Sequence, residues 1–352
     1  MALDYTTKYQ AEIAKRFTLK SVTRGAAGND YSFTGARGIK IYSMPSTSLS
    51  DYGRGSTRYG SVSDVEFTTQ EMLCTQAKSF IKHLEKLDTE DISVDATAAK
   101  FLKVELDEQV IPTMDKYRLK KWVMGAATLK QMASAPTRST IVGDILDLKS
   151  AMGDNLVPDT GLKLYITNTY YTMLLQADAI VQLSGGDYAL KAVKDGSVGT
   201  FEGMSVIPVP SSYLPTGVYF VIKAPHTSAD PVKLAQYDVI EKSAGYSGPI
   251  IQGLAYYDAF VIGAKNVGIG VAGSSSAVLS AATVTVTTHV ATVTAVTGVT
   301  FYYTDDGTDP RSSSTRKEFP AAGVTLTSGM TPLRIIGEKD GCVSIEKTQV
   351  YA

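Results

Sequence analysis

The side chains that could carry out chemistry in this chain are few, and they lie far apart in the sequence. The three histidines, His83, His226 and His289, have no partner at the spacing of a metal site or an acid–base pair. The two cysteines, Cys74 and Cys342, belong to no CxxC pair, so the sequence predicts two buried thiols. No serine-hydrolase elbow or phosphate-binding P-loop is present. We therefore expect no catalytic residue, no cofactor and no metal.

Two short motifs match parts of ligand-binding sequences. Gly268, Gly270 and Gly273 fit GxGxxG, but a dinucleotide site needs the last glycine to begin a helix. Serines and a β-rich segment follow instead, so we expect a turn at the end of a domain. The sequence DDGTDP at 305–310 lacks the ligand order and distal Glu of a calcium loop. Its Asp-Gly and Asp-Pro pairs predict a tight turn between strands.

Tyrosine and arginine side chains in segment 29–64 are better suited to protein contacts. A long run of Ser, Gly, Thr, Tyr and Arg follows the strand-like sequence GIKIY. Such a loop is uncommon inside a compact domain unless it binds something or is disordered. Protein interfaces are enriched in Tyr and Arg, and we expect a partner to bury this loop. The candidate contact residues are Tyr42, Tyr52, Arg54, Arg58 and Tyr59.

The charge of the chain is divided unevenly. The whole chain has a formal net charge of −1, which argues against a dedicated nucleic-acid-binding protein. Residues 1–60 contain nine Lys or Arg and four Asp or Glu, a net charge of +5. This arm is therefore expected to contact an acidic surface, through Lys15, Arg16, Lys20 and Arg24. The sequence has no signal-peptide core and no apolar run long enough to span a membrane, so we expect no membrane partner.

Periodic apolar residues predict helices at 4–20, 91–127, 140–152 and 170–179. The longest, 91–127, contains Pro112, where a kink or a break is expected. Its apolar stripe comprises Leu102, Leu106 and Val110. One side of the helix at 140–152 is expected to hold Val142, Ile145, Leu146 and Met152.

Strand-like segments predict a ribbon and a mixed sheet. Segments 39–42 and 66–73 flank the long loop and predict an extended two-stranded ribbon. An isolated hairpin is only marginally stable, so this ribbon should lie on a neighbour. Further strands are predicted at 162–167, 204–209, 218–223 and within 253–266. Together these segments predict an α+β fold with a long helix, a mixed sheet and a projecting ribbon.

The composition changes abruptly at residues 273–276, Gly-Ser-Ser-Ser, which is typical of a flexible linker. Runs of alternating β-branched residues follow, with turn residues between them. They predict a small all-β sandwich over residues 277–352. We expect this domain to be peripheral.

Several motifs of the first 272 residues occur in a characteristic order. They are Asn29-Asp-Tyr31, Ile39-Lys-Ile-Tyr42-Ser-Met-Pro45, Asp51-Tyr-Gly-Arg54, Arg58-Tyr-Gly60 and Val110-Ile-Pro-Thr-Met-Asp-Lys-Tyr-Arg-Leu119. In this combination the chain resembles the major capsid proteins of tailed bacteriophages with the HK97-like fold, especially those of phages that infect Firmicutes. The resemblance implies an N-arm at 1–32, an E-loop at about 33–80, a spine helix of the peripheral domain at about 91–130 and an axial domain at about 137–265.

The resemblance also implies partners and a location. Copies of the chain would form the pentamers and hexamers of an icosahedral shell that encloses double-stranded DNA. A portal protein would be a further partner of this shell. The protein would assemble in the bacterial cytoplasm and end in the virion. The chain begins directly at the arm, which implies a separate scaffolding protein. No lysine lies between Lys40 and Lys78, so we expect no covalent crosslink through the loop, and Arg54 and Arg58 to act by salt bridges and stacking.

Residues 299–351 resemble, separately, the Ig-like modules at the ends of some carbohydrate-active enzymes. The resemblance rests on Phe301–Pro310, Leu333–Gly337 and Gly341–Ser344. In capsid proteins such a domain tends to lie on the outer surface, where it would bind a host-surface glycan or nothing. Two alternatives remain open for the whole chain, namely an encapsulin-type nanocompartment shell and a carbohydrate-binding or adhesion protein.

Overall fold

The computed structural model describes residues 21–26, 28, 38–44, 49, 51–54, 64–65, 67–86, 98–177, 200–241 and 245–351. The helix expected at 4–20 lies outside these residues, and so do Lys15, Arg16, Lys20, Arg58 and Tyr59. The helices are α1 (Ala98–Glu105), α2 (Ile111–Gly125), α3 (Ile141–Asp154) and α4 (Asn168–Leu175).

The strands, in chain order, are β1 (Gly38–Ser43), β2 (Thr68–Leu73), β3 (Gln76–His83), β4 (Thr128–Met132), β5 (Lys163–Thr167), β6 (Thr200–Phe201), β7 (Met204–Val209), β8 (Val218–Lys223), β9 (Ser228–Ala229), β10 (Val232–Ile240), β11 (Ile250–Tyr257), β12 (Phe260–Val261), β13 (Ile269–Ser274), β14 (Val278–Leu279), β15 (Val284–Thr287), β16 (Val290–Val293), β17 (Thr300–Thr304), β18 (Lys317–Glu318), β19 (Val324–Thr325), β20 (Leu333–Lys339), β21 (Cys342–Ser344) and β22 (Lys347–Gln349).

A six-stranded mixed sheet in the order β4-β13-β8-β5-β7-β6 forms the centre of the chain. Strands β7 and β8 begin and end where the sequence predicts them, and β5 begins one residue later. Because successive side chains of a strand point to opposite faces, one strand can contribute to two cores. In β5, Tyr165 packs with one cluster, whereas Leu164 and Ile166 pack with the other.

The first face of this sheet is covered by a long broken helix, which we call the spine helix. It consists of α1, a π-helical turn at Leu106–Val110 and α2. Pro112 lies in the first turn of α2, where a missing backbone N–H is tolerated. The disruption expected there takes the form of the π-helical turn just before it, so the helix continues. Leu119 and Trp122 of α2 are fully buried in the first core.

Helix α3 covers the second face of the sheet. Its buried residues are Ile141, Ile145, Leu148 and Met152, which follow one helical stripe. The prediction was wrong for Leu146, which is exposed, because it lies about 100° round the helix from Ile145.

The GxGxxG motif lies on this sheet and not at the start of a helix. Gly268 ends the 3-10 turn just before β13, and Gly270 and Gly273 lie within β13. A Cβ added to Gly270 would lie 2.8 Å from Met152 Sδ and 3.1 Å from Leu148 Cγ. Glycine is needed there so that α3 can approach the sheet closely, and no helix follows as a dinucleotide site would require.

The predicted ribbon is confirmed. Strands β1 and β2 pair antiparallel, with Ile41 opposite Gln70 and Tyr42 opposite Thr69. The chain then enters β3, which pairs with β11, and β11 pairs with β10. The ribbon is therefore joined directly to a three-stranded sheet.

The C-terminal residues form two sheets, one in the order β14-β21-β20-β17-β18 with β22 beside β20, the other in the order β15-β16-β19. Apolar side chains of both sheets, such as Ala291 and Ile335, share one core. The junction differs from a flexible linker. Ser274 ends β13, and its backbone N–H donates to the Gly217 carbonyl at 2.9 Å.

The first residues after this junction belong to the core of the preceding part. Ala277 and Val278 are fully buried among α2 and the central sheet, together with Cys342 of β21. We call residues 277–351 the C-terminal module. Through these three residues it shares a core with the preceding part of the chain.

We expect Val278→Ala to lower the free energy of unfolding by about 1–2 kcal/mol, because it removes buried methyl groups and leaves a cavity. The matched change Val350→Ala removes the same groups from an exposed side chain, and its effect should stay within about 0.5 kcal/mol. Urea denaturation of both variants measures the difference. Equal effects would show that the module does not stabilise the body.

Candidate assembly surface

The ribbon is held to the body at its root. Gln70 of β2 donates from Nε2 to the Val261 carbonyl at 2.8 Å, and its Oε1 accepts from the Gly263 N–H at 2.8 Å. The neighbouring side chains Ile41 and Met72 are only 8% and 0% exposed. A side-chain amide that satisfies two backbone groups fixes both the position and the rotation of the strand that carries it.

A second buried contact lies where the ribbon ends. Thr75 donates from both its backbone N–H and its hydroxyl to Asp258 Oδ2, at 2.8 and 2.9 Å. The Tyr117 hydroxyl of the spine helix donates to Asp258 Oδ1 at 2.7 Å. Burial, together with the hydrogen bond to this carboxylate, raises the pKa of Tyr117 well above its usual range, so the phenol remains a donor. The root is thus fixed to α2 and to the β11–β12 turn.

The opposite face and the far part of the ribbon are exposed. Tyr42 is 67% exposed and Tyr52 is 57% exposed, and Arg54 is exposed near Tyr52. Arg58 and Tyr59 lie outside the described residues. Besides Leu73 of β2, four large apolar side chains between residues 44 and 67 are exposed and were not among the predicted contact residues: Met44, Leu49, Val65 and Phe67. Each is isolated among polar residues in the sequence, so no periodic pattern marks them.

The alternation of side chains along β1 and β2 explains why two large side chains of these strands are uncovered in a single copy. Ile41 and Met72 point to the body, so Tyr42 and Leu73 must point away from it. Exposed large apolar side chains that come from one ribbon and its loop are candidates for an interaction surface. We call the exposed set Tyr42, Met44, Leu49, Tyr52, Val65 and Phe67 the ribbon patch.

The N-terminal segment is attached to the body by a buried carboxylate. Ser21 and Thr23 donate from their hydroxyls to Asp115 Oδ1 at 2.8 and 2.5 Å, and Val22 N–H donates to Oδ2 at 2.9 Å. Thr23 and Asp115 are fully buried. Arg118 Nη1, one turn further along α2, donates to Thr23 Oγ1 at 3.3 Å. We call residues 21–26 and 28 the strap.

A second carboxylate holds the other end of the strap. Gly28 N–H donates to Asp230 Oδ2 at 3.0 Å, and Trp122 Nε1 donates to Oδ1 at 3.0 Å. Burial raises the pKa of Asp230, although hydrogen bonds from Ser228 and Gly28 oppose the shift. A Cβ on Gly28 would lie 1.6 Å from the Ser228 carbonyl oxygen, so only glycine fits. Lys223, stacked over Trp122, donates to the Ala26 carbonyl at 2.8 Å.

Of the four basic residues predicted to make contacts in the arm, the structure describes Arg24. It is exposed, in the turn of the strap between the two carboxylates. Its contact with a partner therefore stays a prediction.

Two of the motifs weighed in the sequence can be checked among the described residues. No group of three or more His, Cys, Asp or Glu side chains among them could hold a metal ion. The DDGTDP segment turns at residues 306–308, as predicted. Asp306 Oδ1 accepts a hydrogen bond from the Thr308 N–H at 3.0 Å, and Gly307 has φ +79°. None of the described helices combines the length and the apolar character needed to span a membrane.

Comparison with known proteins identifies the fold. No family model matches the chain, and no curated protein sequence matches it. Solved structures do match. A structure from Mycobacterium phage Che8 has a TM-score of 0.64 at 14% identity, covering 77% of this chain and 98% of that one. The capsid structure of cyanophage P-SCSP1u has a TM-score of 0.63 at 11% identity, covering 77% and 93%.

A third match is the acid-stable capsid structure of Helicobacter pylori bacteriophage KHP30, with a TM-score of 0.57 at 12% identity, covering 77% of this chain and 96% of that one. The chain therefore has the α+β, HK97-like fold of phage capsid proteins. The predicted fold class is confirmed. These structures leave about a quarter of this chain unmatched.

We expect Asp115→Ala to release the strap, because three hydrogen-bond donors lose their buried acceptor. Trypsin should then cut after the exposed Arg24 about tenfold faster than in the parent chain, since cleavage requires local opening. Mass spectrometry of that one cleavage measures the rate. The control Asp147→Ala removes an exposed carboxylate of α3. Equal rates in both variants would show that Asp115 does not hold the strap.

Proposed function

We propose that this chain is the major capsid protein of a tailed bacteriophage, the repeating subunit of an icosahedral head shell. The observation that carries the proposal is the ribbon patch on a ribbon whose root is fixed to the body. The HK97-like fold supports the same conclusion. The chain acts as a structural protein and not as an enzyme.

The ribbon patch supplies energy for assembly. Burial of one large apolar side chain contributes about 1.5–3 kcal/mol. The loss of translational and rotational freedom on association costs roughly 4–15 kcal/mol. Six such side chains, even if incompletely buried, can offset that cost. In a closed symmetric shell every copy both gives and receives the contact, so small contributions add up.

The finer parts of the proposal follow from the resemblance. Copies form pentamers and hexamers, with a portal protein at one vertex and a separate scaffolding protein during assembly. Packaged double-stranded DNA contacts the inner surface without sequence specificity. Mature protein is located in the virion after assembly in the host cytoplasm. The phage is proposed to be of the type that infects Firmicutes, and the domain bounds and arm contacts remain predictions.

The C-terminal module, proposed to be Ig-like, faces outward in this account. Its shared core with α2 and the central sheet supports a role as a fixed part of the shell subunit. A host-surface glycan remains a candidate ligand for its outer surface. An assembly whose particles enclose an enzyme and no DNA would favour the encapsulin-type alternative.

We expect the double substitution Tyr42→Ser with Phe67→Ser to abolish shell formation while the subunit stays folded. Both side chains are exposed in a single copy, so their loss removes contact area between copies and little of the core. Sedimentation velocity and negative-stain electron microscopy measure assembly, and the thermal midpoint measures folding.

Val350→Ser is the matched control, because it changes an exposed apolar side chain outside the ribbon. This variant should assemble like the parent chain. Closed shells of normal size from the ribbon variant would rule out the proposed role of the ribbon patch.

A further inference from the structure

The ribbon and the C-terminal module contact the same short segment. Residues 261–268, which we call the hub segment, comprise the end of β12 and the 3-10 turn Gly263–Gly268. On one side Gln70 of the ribbon bonds to Val261 and Gly263, as described above. The other side of the hub segment meets residues 309–313 of the module.

The contact with the module is polar and close. Asn266 Nδ2 donates to Asp309 Oδ2 at 2.6 Å, and Asn266 is only 6% exposed. At Gly263 a Cβ would lie 2.5 Å from Ser312 Oγ and 3.5 Å from Gln70 Oε1. Gly263 is therefore the point where the hub segment, the ribbon and the module meet. A buried hydrogen bond that loses one partner leaves the other group unsatisfied, so this contact resists displacement.

An ion network within the module keeps residues 309–313 in place. Arg311, whose side chain is 2% exposed, pairs with Asp309 at 3.2 Å and with Glu346 at 2.9 Å. Arg334 also pairs with Glu346, at 2.6 Å. Burial alone would raise the pKa of Glu346, but the two arginines hold it below its ordinary value. Asp309 is thus presented to Asn266 from a rigid support.

We infer that Asn266, Asp309 and Arg311 are positioning residues, and that the C-terminal module braces the ribbon through the hub segment. Displacement of residues 309–313 would shift Gly263, and Gln70 would lose one of its two fixed partners. The module then sets the angle at which the ribbon leaves the body. The contacts that form the brace do not depend on the proposed function. The importance of the angle for assembly rests on that function.

Hydrogen exchange of the full chain before assembly tests the brace. Asn266→Asp places a second carboxylate against Asp309, and like charges at this distance repel. Amides of β1 and β2 should exchange about tenfold faster, the factor expected when a buried hydrogen bond is lost. Amides of β5 and β8 in the central sheet should exchange as in the parent chain.

Three further variants keep the result interpretable. Lys317→Ala removes an ion pair with Asp305 elsewhere on the module and should leave the ribbon unchanged. Gln70→Ala should loosen the ribbon without affecting residues 309–313. If Asn266→Asp also speeds exchange in β5 and β8, the milder Asn266→Ala takes its place with the same expected pattern at the ribbon.

Faster exchange confined to residues 309–313, with the ribbon unchanged, would overturn the inference. So would a ribbon that loosens equally in Lys317→Ala. The exchange measurement uses dissociated protein, so a negative result would count against the brace and not against shell assembly. Conversely, failure to form shells would count against the proposed function and not against the brace.

Discussion

A two-stranded ribbon cannot bury both of its own faces, and this constraint shapes the whole chain. Ile41 and Met72 are buried against the body, so the alternating residues Tyr42 and Leu73 must face solvent in a single copy. The buried contacts of Gln70 and Thr75 make the root rigid. The strands that carry Tyr42 and Leu73 are thereby held in place, where a second surface can cover these side chains at a low cost in conformational entropy.

The rest of the structure supplies a stiff support for that ribbon. The central sheet has a core on each face, and α2 takes part in three of the buried polar contacts that hold other segments. Its Asp115 holds the strap, its Tyr117 meets the carboxylate at the ribbon root, and its Trp122 bonds to Asp230. Buried polar groups that are satisfied by several partners specify one arrangement and resist deformation. A shell subunit needs such rigidity, because errors of angle accumulate around a closed lattice.

Local patterns predicted much of this fold, while contacts between distant residues escaped them. Strands β7 and β8 are continuous apolar runs bounded by turn residues, so their ends were clear from the sequence. Asp115 meets Thr23 across 92 residues, and Asn266 meets Asp309 across 43, and no local period records such pairs. The Gly-Ser-Ser-Ser junction shows the limit of composition. It suggests flexibility, yet Ala277 and Val278 beside it are core residues. At the ribbon, Tyr and Arg were recognised by type, whereas Met44 and Phe67 became visible only through their exposure.

Oxidative footprinting of the ribbon, with hydroxyl radicals and mass spectrometry, tests the central claim most directly. The label should modify Tyr42, Met44, Tyr52 and Phe67 readily in dissociated protein, where these side chains are exposed. In purified shells the same four should be protected, while the exposed Val350 and Tyr351 of the C-terminal module stay reactive. Equal labelling of the four ribbon residues in shells and in dissociated protein would contradict the account, since the ribbon patch would then remain uncovered in the assembly it is proposed to build.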